Sequence, residues 1–534
     1  MAKDDFITVE VTEINPSTAA SSVCNESLSQ DDPSCPQYQS SDEESGRAEH
    51  SSSGISESET KADPTIVTWD GPDDPANPKN WSRRRKWVVT VIVSAFAFIS
   101  PLSSSMIAPA LSRLGSELHI PSGVQLQMIL SIFVLAYSFG PFFLSPASEI
   151  WGRTRIIQYS NLVFILFNVL CGFARTKGEL LAFRFIAGLG GSATLGMGAG
   201  ILSDCWSPEE RGRGMALYQL APILGPAIGP VAGGFIAENT TWRWSFWSIT
   251  CFNIAIQLVG LFFLRETYAP RLLALKARTL RQKTGNPELR AATETPSRTL
   301  PALLQVSLTR PWRMLATQPI IQLLALYQAY NFGMLYLFIS SFPALWEGRY
   351  GMSTSLGSLN YFSLALGSLI GAQICGPLAD RIHRRMRIRY GGAEDAKAVP
   401  EFRIPLMIPA AFVTPCGIFL YGWAAQAKMH WIVPNIGAAL FAGGSMISYQ
   451  CIQVYLVDTY TRYSASASAA SAFLRSLAAF GFPLFAPSLF ETLGYGWGCS
   501  ALGLVAVVLG IPAPFLFWSF GARIRARSPF AAGG

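Results

Sequence analysis

Twelve apolar runs, each near the ~20 helical residues needed to cross a ~30 Å hydrocarbon core, constrain this chain more than any other feature. They lie near 87–111, 124–145, 156–174, 180–203, 214–237 and 246–264, then near 318–342, 355–378, 404–424, 431–457, 465–489 and 498–520. Only 14% of the residues are charged, against roughly 25% in an average soluble domain, so most soluble enzymes are excluded. The fold class that follows is an all-α membrane protein, with twelve transmembrane helices in two six-helix pseudo-repeat bundles. Its expected organisation is a disordered acidic tail over 1–78, a bundle over 79–264, a central loop over 265–317, a second bundle over 318–521 and a short tail over 522–534.

The net charge of +7 hides an uneven distribution. Residues 1–78 carry 3 basic and 17 acidic groups, net −14, and the remainder carries net +21. With the N-terminus on the cytoplasmic side, 30 Lys and Arg fall in inner segments and 6 in outer loops. That bias orients the chain with both termini and the central loop in the cytoplasm. The basic surplus then serves topology and contact with anionic lipid, and nucleic acid drops out as a partner.

From Met1 to about Asp74 the chain is rich in Ser, Asp and Glu. It cannot bury enough apolar surface to offset its ordering entropy, so disorder is expected. Without a basic segment leading into an apolar one at the start, no cleavable signal is expected, and the first span directs insertion. The nine cysteines contain no C-x-x-C pair, which supports neither a disulfide framework nor a zinc site. No phosphate-binding loop is present, so no nucleotide or other cofactor is implied. The sequons at Asn25 and Asn80 fall on the cytoplasmic side. Asn239, in Asn239-Thr240-Thr241, faces outward and is the candidate for glycosylation.

Charges recur at corresponding helix ends of the two halves. Span 2 ends in Ser148-Glu149-Ile150-Trp151-Gly152-Arg153, and span 8 ends in Leu378-Ala379-Asp380-Arg381. Asp204 ends span 4, ahead of Arg211, and Asp458 ends span 10. A carboxylate at an inner helix end can pair with an arginine or a helix N-terminus when the inner gate is closed, and must let go when it opens. Parallel repeats of this kind are characteristic of transporter halves.

These residues resemble the major facilitator superfamily, in particular the twelve-span drug:proton antiporters of fungi, from about Asp74 to Ser528. The juxtamembrane run Asp74-Pro75-Ala76-Asn77-Pro78-Lys79-Asn80-Trp81 is similar to that subfamily's, and Glu149, Gly152 and Arg153 match the superfamily's loop between spans 2 and 3. Ile150 and Thr154 stand where basic residues are common. Arg184 on span 4, in Arg184-Phe185-Ile186-Ala187-Gly188, matches a motif whose arginine the resemblance links to proton coupling. Span 5 carries Gly225-Pro226-Ala227-Ile228-Gly229-Pro230-Val231-Ala232-Gly233-Gly234. Its glycines line one face for close helix contact, and its prolines delete backbone donors. The same spacing resembles the antiporter motif of exporters, which implies efflux.

No Asp, Glu or His lies in the middle of a span. An arginine inside a membrane is costly and faces a cavity or a partner. Arg475, about 11 residues and ~16 Å beyond Ser464, is assigned to the cavity. Polar groups that would line the substrate chamber are Gln322, Gln328, Asn331 and Tyr336 on span 7, Asn360 on span 8, and Gln450 and Gln453 on span 10. A mostly apolar chamber with a few hydrogen-bonding groups suits a small amphipathic organic substrate. Arg184, Glu149 and Asp204 are the candidates for coupling protonation to gating. What the resemblance implies is a monomeric, plasma-membrane, proton-driven exporter of drugs or fungal metabolites, and no enzyme. Rival readings are a same-fold carrier of polyamines or a nutrient, and a transporter-like nutrient sensor.

Overall fold

The computed structural model describes residues 65–207, 210–291, 300–390, 400–460, 463–526 and 528. The acidic stretch before residue 65, with Asn25, lies outside the described residues, as does the side chain of Arg211. Span 1 is Arg83–Met106, span 2 Gly123–Trp151 and span 3 Arg153–Phe173. Span 4 is built from Lys177–Gly191 and Ala193–Cys205, span 5 is Arg211–Asn239 and span 6 Arg243–Phe263. Span 7 is Pro319–Pro343, span 8 Thr354–Leu359 continued by Phe362–Tyr390, span 9 Met407–Gln426 and span 10 Ile432–Thr459.

Eleven helices are long and apolar enough to cross a membrane, and the last of them, Ser466–Ala526, contains two spans. Gly494 divides it, with φ 70° and ψ 175° inside an otherwise helical run. That left-handed φ is open to glycine and costly for side chains with a Cβ, so span 11 ends there and span 12 returns to Ala526. Twelve spans result. Several outrun their apolar segments: span 2 continues to Trp151 and span 8 to Tyr390, because hydropathy marks the lipid-facing part of a helix and not its polar extension.

Large apolar side chains such as Leu166, Phe262, Leu504 and Val508 are exposed. In a multi-span protein such a belt is solvated by lipid chains. Inside the first half, amides hold spans 3 and 6 together: Asn161 and Asn253 exchange hydrogen bonds at 3.2 and 2.9 Å, and Asn168 donates to Thr250 Oγ1 at 2.9 Å.

Both termini of the described bundle and the central loop lie at one end, called here the terminal end; the opposite is the far end. At the far end one apolar cluster unites the halves, joining Ile107, Leu111, Ile129 and Phe246 to Met334, Phe338, Trp346 and Tyr361. At the terminal end the halves have separate clusters, one around Trp81, Met197 and Trp206 and one around Met314, Tyr455 and Phe517. The seam is therefore packed shut at the far end. Its main bridge nearer the terminal end is aromatic. Trp312, on the central-loop helix Leu300–Thr317, meets Phe473 of span 11 with ring centroids 4.6 Å apart and stacks over Phe142 of span 2 at 6.4 Å.

Residues 65–78 correct the expectation of disorder as far as residue 78. Strand β1 (Ile66–Val67) pairs in parallel with β2 (Arg290–Ala291) of the central loop. Asp74 then organises the turn that follows, accepting from the backbone of Asp70 and Ala76 at 2.9 and 2.8 Å. Lys276, on the central-loop helix Ala269–Thr284, lies 2.6 Å from Asp70 and 3.6 Å from Asp74. These donors, the backbone ones first, hold the Asp74 carboxyl below the usual carboxylate range. The segment is ordered by hydrogen bonds to a distant loop, which composition does not register.

Candidate functional site: the gating clusters and the central seam

At the terminal end of the first half, span 2 stops at Gly152, whose φ of 98° turns the chain into span 3. A side chain there would be strained and would collide with the Glu266 carboxylate. Glu266, just past span 6, accepts from the backbone of Arg153 and Thr154 at 3.0 and 3.3 Å, so it caps the first turn of span 3. The Arg153 side chain points the other way and donates to Asp204 at 2.6 Å, with both partners less than one-fifth exposed. Its guanidinium also lies 4.8 Å from the Tyr268 ring. Glu149 is not part of this cluster. It is exposed and has no hydrogen bond or ion pair among the described residues.

The second half repeats the helix placement with different partners. Arg403, just ahead of span 9, corresponds to Arg153, and Asp458 at the end of span 10 corresponds to Asp204. Arg403 reaches Asp458 at 3.4 Å and Asp380 at 3.1 Å. Arg381, next to Asp380 in the sequence, is exposed and makes no ion pair among the described residues. On a helix, adjacent side chains diverge by about 100°, so Asp380 pairs across to span 9. Beside it Glu401, 5% exposed, takes two hydrogen bonds at 3.2 Å from Arg525, at the end of span 12.

Arg184 is wholly buried, which excludes the snorkelling that its position near a helix start would permit. It donates to the carbonyls of Ser103 and Ser104 on span 1, at 3.1 and 3.2 Å, and of Ile129 and Leu130 on span 2, at 3.1 and 3.2 Å. Span 1 stops at Met106, which leaves the carbonyls of its last turn without helical partners. Arg184 fills that need and sits 4.8 Å from the Phe133 ring. No carboxylate balances it among its described contacts. From the same turn of span 1, Ser104 meets Tyr336 of span 7 at 3.0 Å, which carries the network across the seam.

The span 5 glycines divide between two neighbours. A Cβ at Gly225 would come within 2.8 Å of Pro101, and one at Gly229 within 2.6 Å of the Leu102 carbonyl; Gly233 abuts Met106. All three face span 1. Gly234 faces the other half, against Ser358 and the Thr354 carbonyl of span 8. Pro226 and Pro230 lie within the helix. Asn239, at its exposed end, donates to the Phe235 carbonyl at 2.8 Å.

The proposed chamber residues separate into two groups. Gln322 leaves the chamber: it is exposed and donates to the carbonyls of Leu315 and Ala316 at 2.8 and 3.0 Å, which caps the preceding helix. Asn360 is engaged in the wall, accepting from Asn435 at 2.5 Å and bonding its own helix where span 8 breaks. Gln328 and Arg475 remain near the seam, whereas Asn331 turns into the second half. Gln328 accepts from Ser471 at 2.6 Å and Asn331 from Ser445 at 3.2 Å. Arg475 is half-buried, donates to the Tyr449 hydroxyl at 2.9 Å and lies 4.9 Å from the Phe332 ring. The Nε2 of Gln328 and the Nε of Arg475 are buried with no partner, so donors are left over for a ligand. Gln450 and Gln453 are half-buried and make no hydrogen bond among the described residues. A narrow crevice within the second half is lined by Tyr327, Tyr330, Asn331, Thr414 and Ala506.

A sequence model of the Major Facilitator Superfamily matches residues 93–483. The chain belongs to that superfamily. It is 48% identical over 471 residues to the efflux pump vrtL of Penicillium aethiopicum, covering 88% of this chain and 92% of that one. It is 43% identical to an uncharacterized transporter of Schizosaccharomyces pombe, covering 88% and 95%. Among solved structures it is similar to the xylose transporter XylE of E. coli, with a TM-score of 0.59 at 15% identity, covering 82% of this chain and 98% of that one. The protein is therefore a multi-pass membrane transporter of the major facilitator fold.

Sequence reasoning missed four residues of this superfamily member's clusters: Glu266, Glu401, Arg403 and Arg525. Comparing the halves at spans 3 and 9, as well as at 2 and 8, would have brought out Arg403 as the counterpart of Arg153. Glu266 follows the last span of the first half and Arg525 lies in the final turn of span 12, and no local pattern signals which partner either one meets.

Proposed function

We propose that this transporter exports small amphipathic organic molecules in exchange for protons, by rocking of its two bundles about the central seam. The terminal end faces the cytoplasm, as the distribution of Lys and Arg indicates, and the membrane is the plasma membrane. The observation that carries the direction is span 5: Gly225, Gly229 and Gly233 seat it on span 1, and Gly234 seats it on span 8. This geometry gives the exporter-type motif a physical role, which is to let the far end close tightly between substrate cycles. Efflux is also the activity named for the Penicillium relative. For the chemistry of the cargo, the support is the mixture of apolar and aromatic walls with unpartnered donors on Gln328 and Arg475. Such a site favours planar compounds with hydrogen-bond acceptors.

The test uses inverted membrane vesicles and a fluorescent amphipathic dye. An imposed acid interior is expected to drive dye accumulation, and a protonophore to abolish it. Accumulation unaffected by the gradient would exclude proton exchange, and movement in the opposite sense would exclude export. Arg184→Ala is expected to lower the rate at least tenfold, since four backbone acceptors at the junction of spans 1, 2 and 4 lose their donor.

A further inference from the structure

One turn beyond Gly234, the carboxylate of Glu238 reaches across the seam to the start of span 8. Its Oε2 accepts from the backbone N–H of Ser355 at 2.5 Å, and the Ser353 and Ser355 side chains also hydrogen-bond to it. Span 5 belongs to the first bundle and Ser353–Ser355 to the second, so this is a bolt between the halves. Among the described residues of the far end, Glu238 is the charged side chain whose hydrogen bonds cross the seam. The others bond within their own half: Glu117 pairs with Arg243, Lys177 bonds Gln125, and Arg349 donates to Ala425 and Gln426.

The bolt is held in place from below. Arg113, after span 1, donates to the carbonyls of Ala237 and Glu238, which are last-turn acceptors of span 5. The ionisable groups facing Glu238 are Arg113 from its own half and Glu347, at the end of span 7, from the other; Glu347 hydrogen-bonds to Thr354. The Glu117–Arg243 pair closes the neighbouring turn. Glu238 is itself exposed at the far-end surface, so protons reach it from that side without crossing the packed seam.

We propose that Glu238 is the proton-sensing residue of the far-end gate: ionised, it bolts span 5 to span 8, and protonation releases the bolt and opens the chamber to the outside. The physical basis is the difference between charged and neutral acceptors. A carboxylate accepts hydrogen bonds roughly twice as strong as those of a neutral group, so protonation weakens the bonds to Ser353 and Ser355 together. It also removes the attraction to Arg113. A proton shifts the equilibrium between closed and open by its differential affinity for the two, about tenfold for each unit by which the Glu238 pKa differs between them. Acid outside would then favour opening, in the sense that proton-driven export requires. The proposal rests on the export reading for its purpose, but its test does not.

The experiment measures a distance between spin labels on Thr240 and Met352, with Cys24, Cys35, Cys251 and Cys416 replaced by Ser, in lipid nanodiscs. In the parent protein the far-end distance is expected to lengthen as pH falls from about 6 to about 3, the acid side of the carboxylate range, because the bonds from Ser355 and Ser353 favour the ionised form. Glu238→Gln, nearly isosteric, is expected to give the long distance at every pH. Ser355→Pro removes both the backbone and the hydroxyl donor of Ser355, at the second residue of a helix, where the N–H has no helical acceptor, and is expected to open the gate at neutral pH while the carboxylate stays intact. A pH response unchanged in Glu238→Gln would overturn the proposal, as would one lost in Glu347→Gln and kept in Glu238→Gln. Opening by acid together with gradient-independent dye transport would leave the bolt standing and remove the antiport reading. Gradient-driven transport together with an acid-insensitive distance would do the reverse.

Discussion

The two terminal-end clusters occupy equivalent places in the two bundles and are built differently. In the first, Arg153 and Asp204 form a 2.6 Å pair that is 17% and 18% exposed, and Glu266 independently caps span 3. In the second, Arg403 is shared between Asp380, 74% exposed, and Asp458, 35% exposed, at longer distances. The buried carboxylate there is Glu401, and it is held by Arg525 from the last span. The repeat thus preserves where helices begin and end, and leaves the assignment of partners free. A compact pair shielded from water is fixed, whereas an arginine between two wetter carboxylates can exchange one for the other at little cost. The first cluster is the more rigid of the two, and the second is the one suited to re-pairing.

Three measurements break or sharpen that contrast, all read as thermal stability of the detergent-purified protein. The largest effect is expected for Asp204→Ala, which strands a largely shielded Arg153; a loss of about 2–3 kcal/mol follows, at the lower edge of what breaking a buried pair costs. Glu401→Gln is expected to cost about 1–2 kcal/mol, because the neutral amide still accepts from Arg525 but loses the charge. Asp380→Asn should change stability by less than about 0.5 kcal/mol, as for other exposed pairs, while altering the rate of dye export. If Asp380→Asn destabilised as strongly as Asp204→Ala, the two clusters would be equivalent and the contrast would fall.

Much of the fold was legible because its signals are local. The apolar runs reported the spans, and the glycines at 225, 229 and 233 reported a contact face that does meet span 1. Gly152 was legible as part of a motif, and the reason for it, the Glu266 carboxylate packed against its backbone, was not. The chamber was the least legible region. Gln322 and Gln328 are six residues apart on span 7, and one caps a neighbouring helix while the other lies at the seam. Helix rotation decides between those outcomes, and a polar residue type carries no record of rotation. The segment 65–78 was misread for a related reason: its order comes from Lys276 and Arg290, more than 200 residues away.

By itself, the sequence determined that this chain lives in a bilayer, crosses it twelve times as two related sixes, and carries its positive charge mainly on one side. Those properties depend on transfer free energies of short segments, which sum along the chain. Only the tertiary structure decided which carboxylate pairs with which arginine, that Arg184 is anchored to backbone carbonyls of spans 1 and 2, and that Glu238 reaches the opposite bundle. Each of these depends on the few ångströms over which a hydrogen bond exists, and that distance is set by how helices remote in sequence rotate and pack against one another.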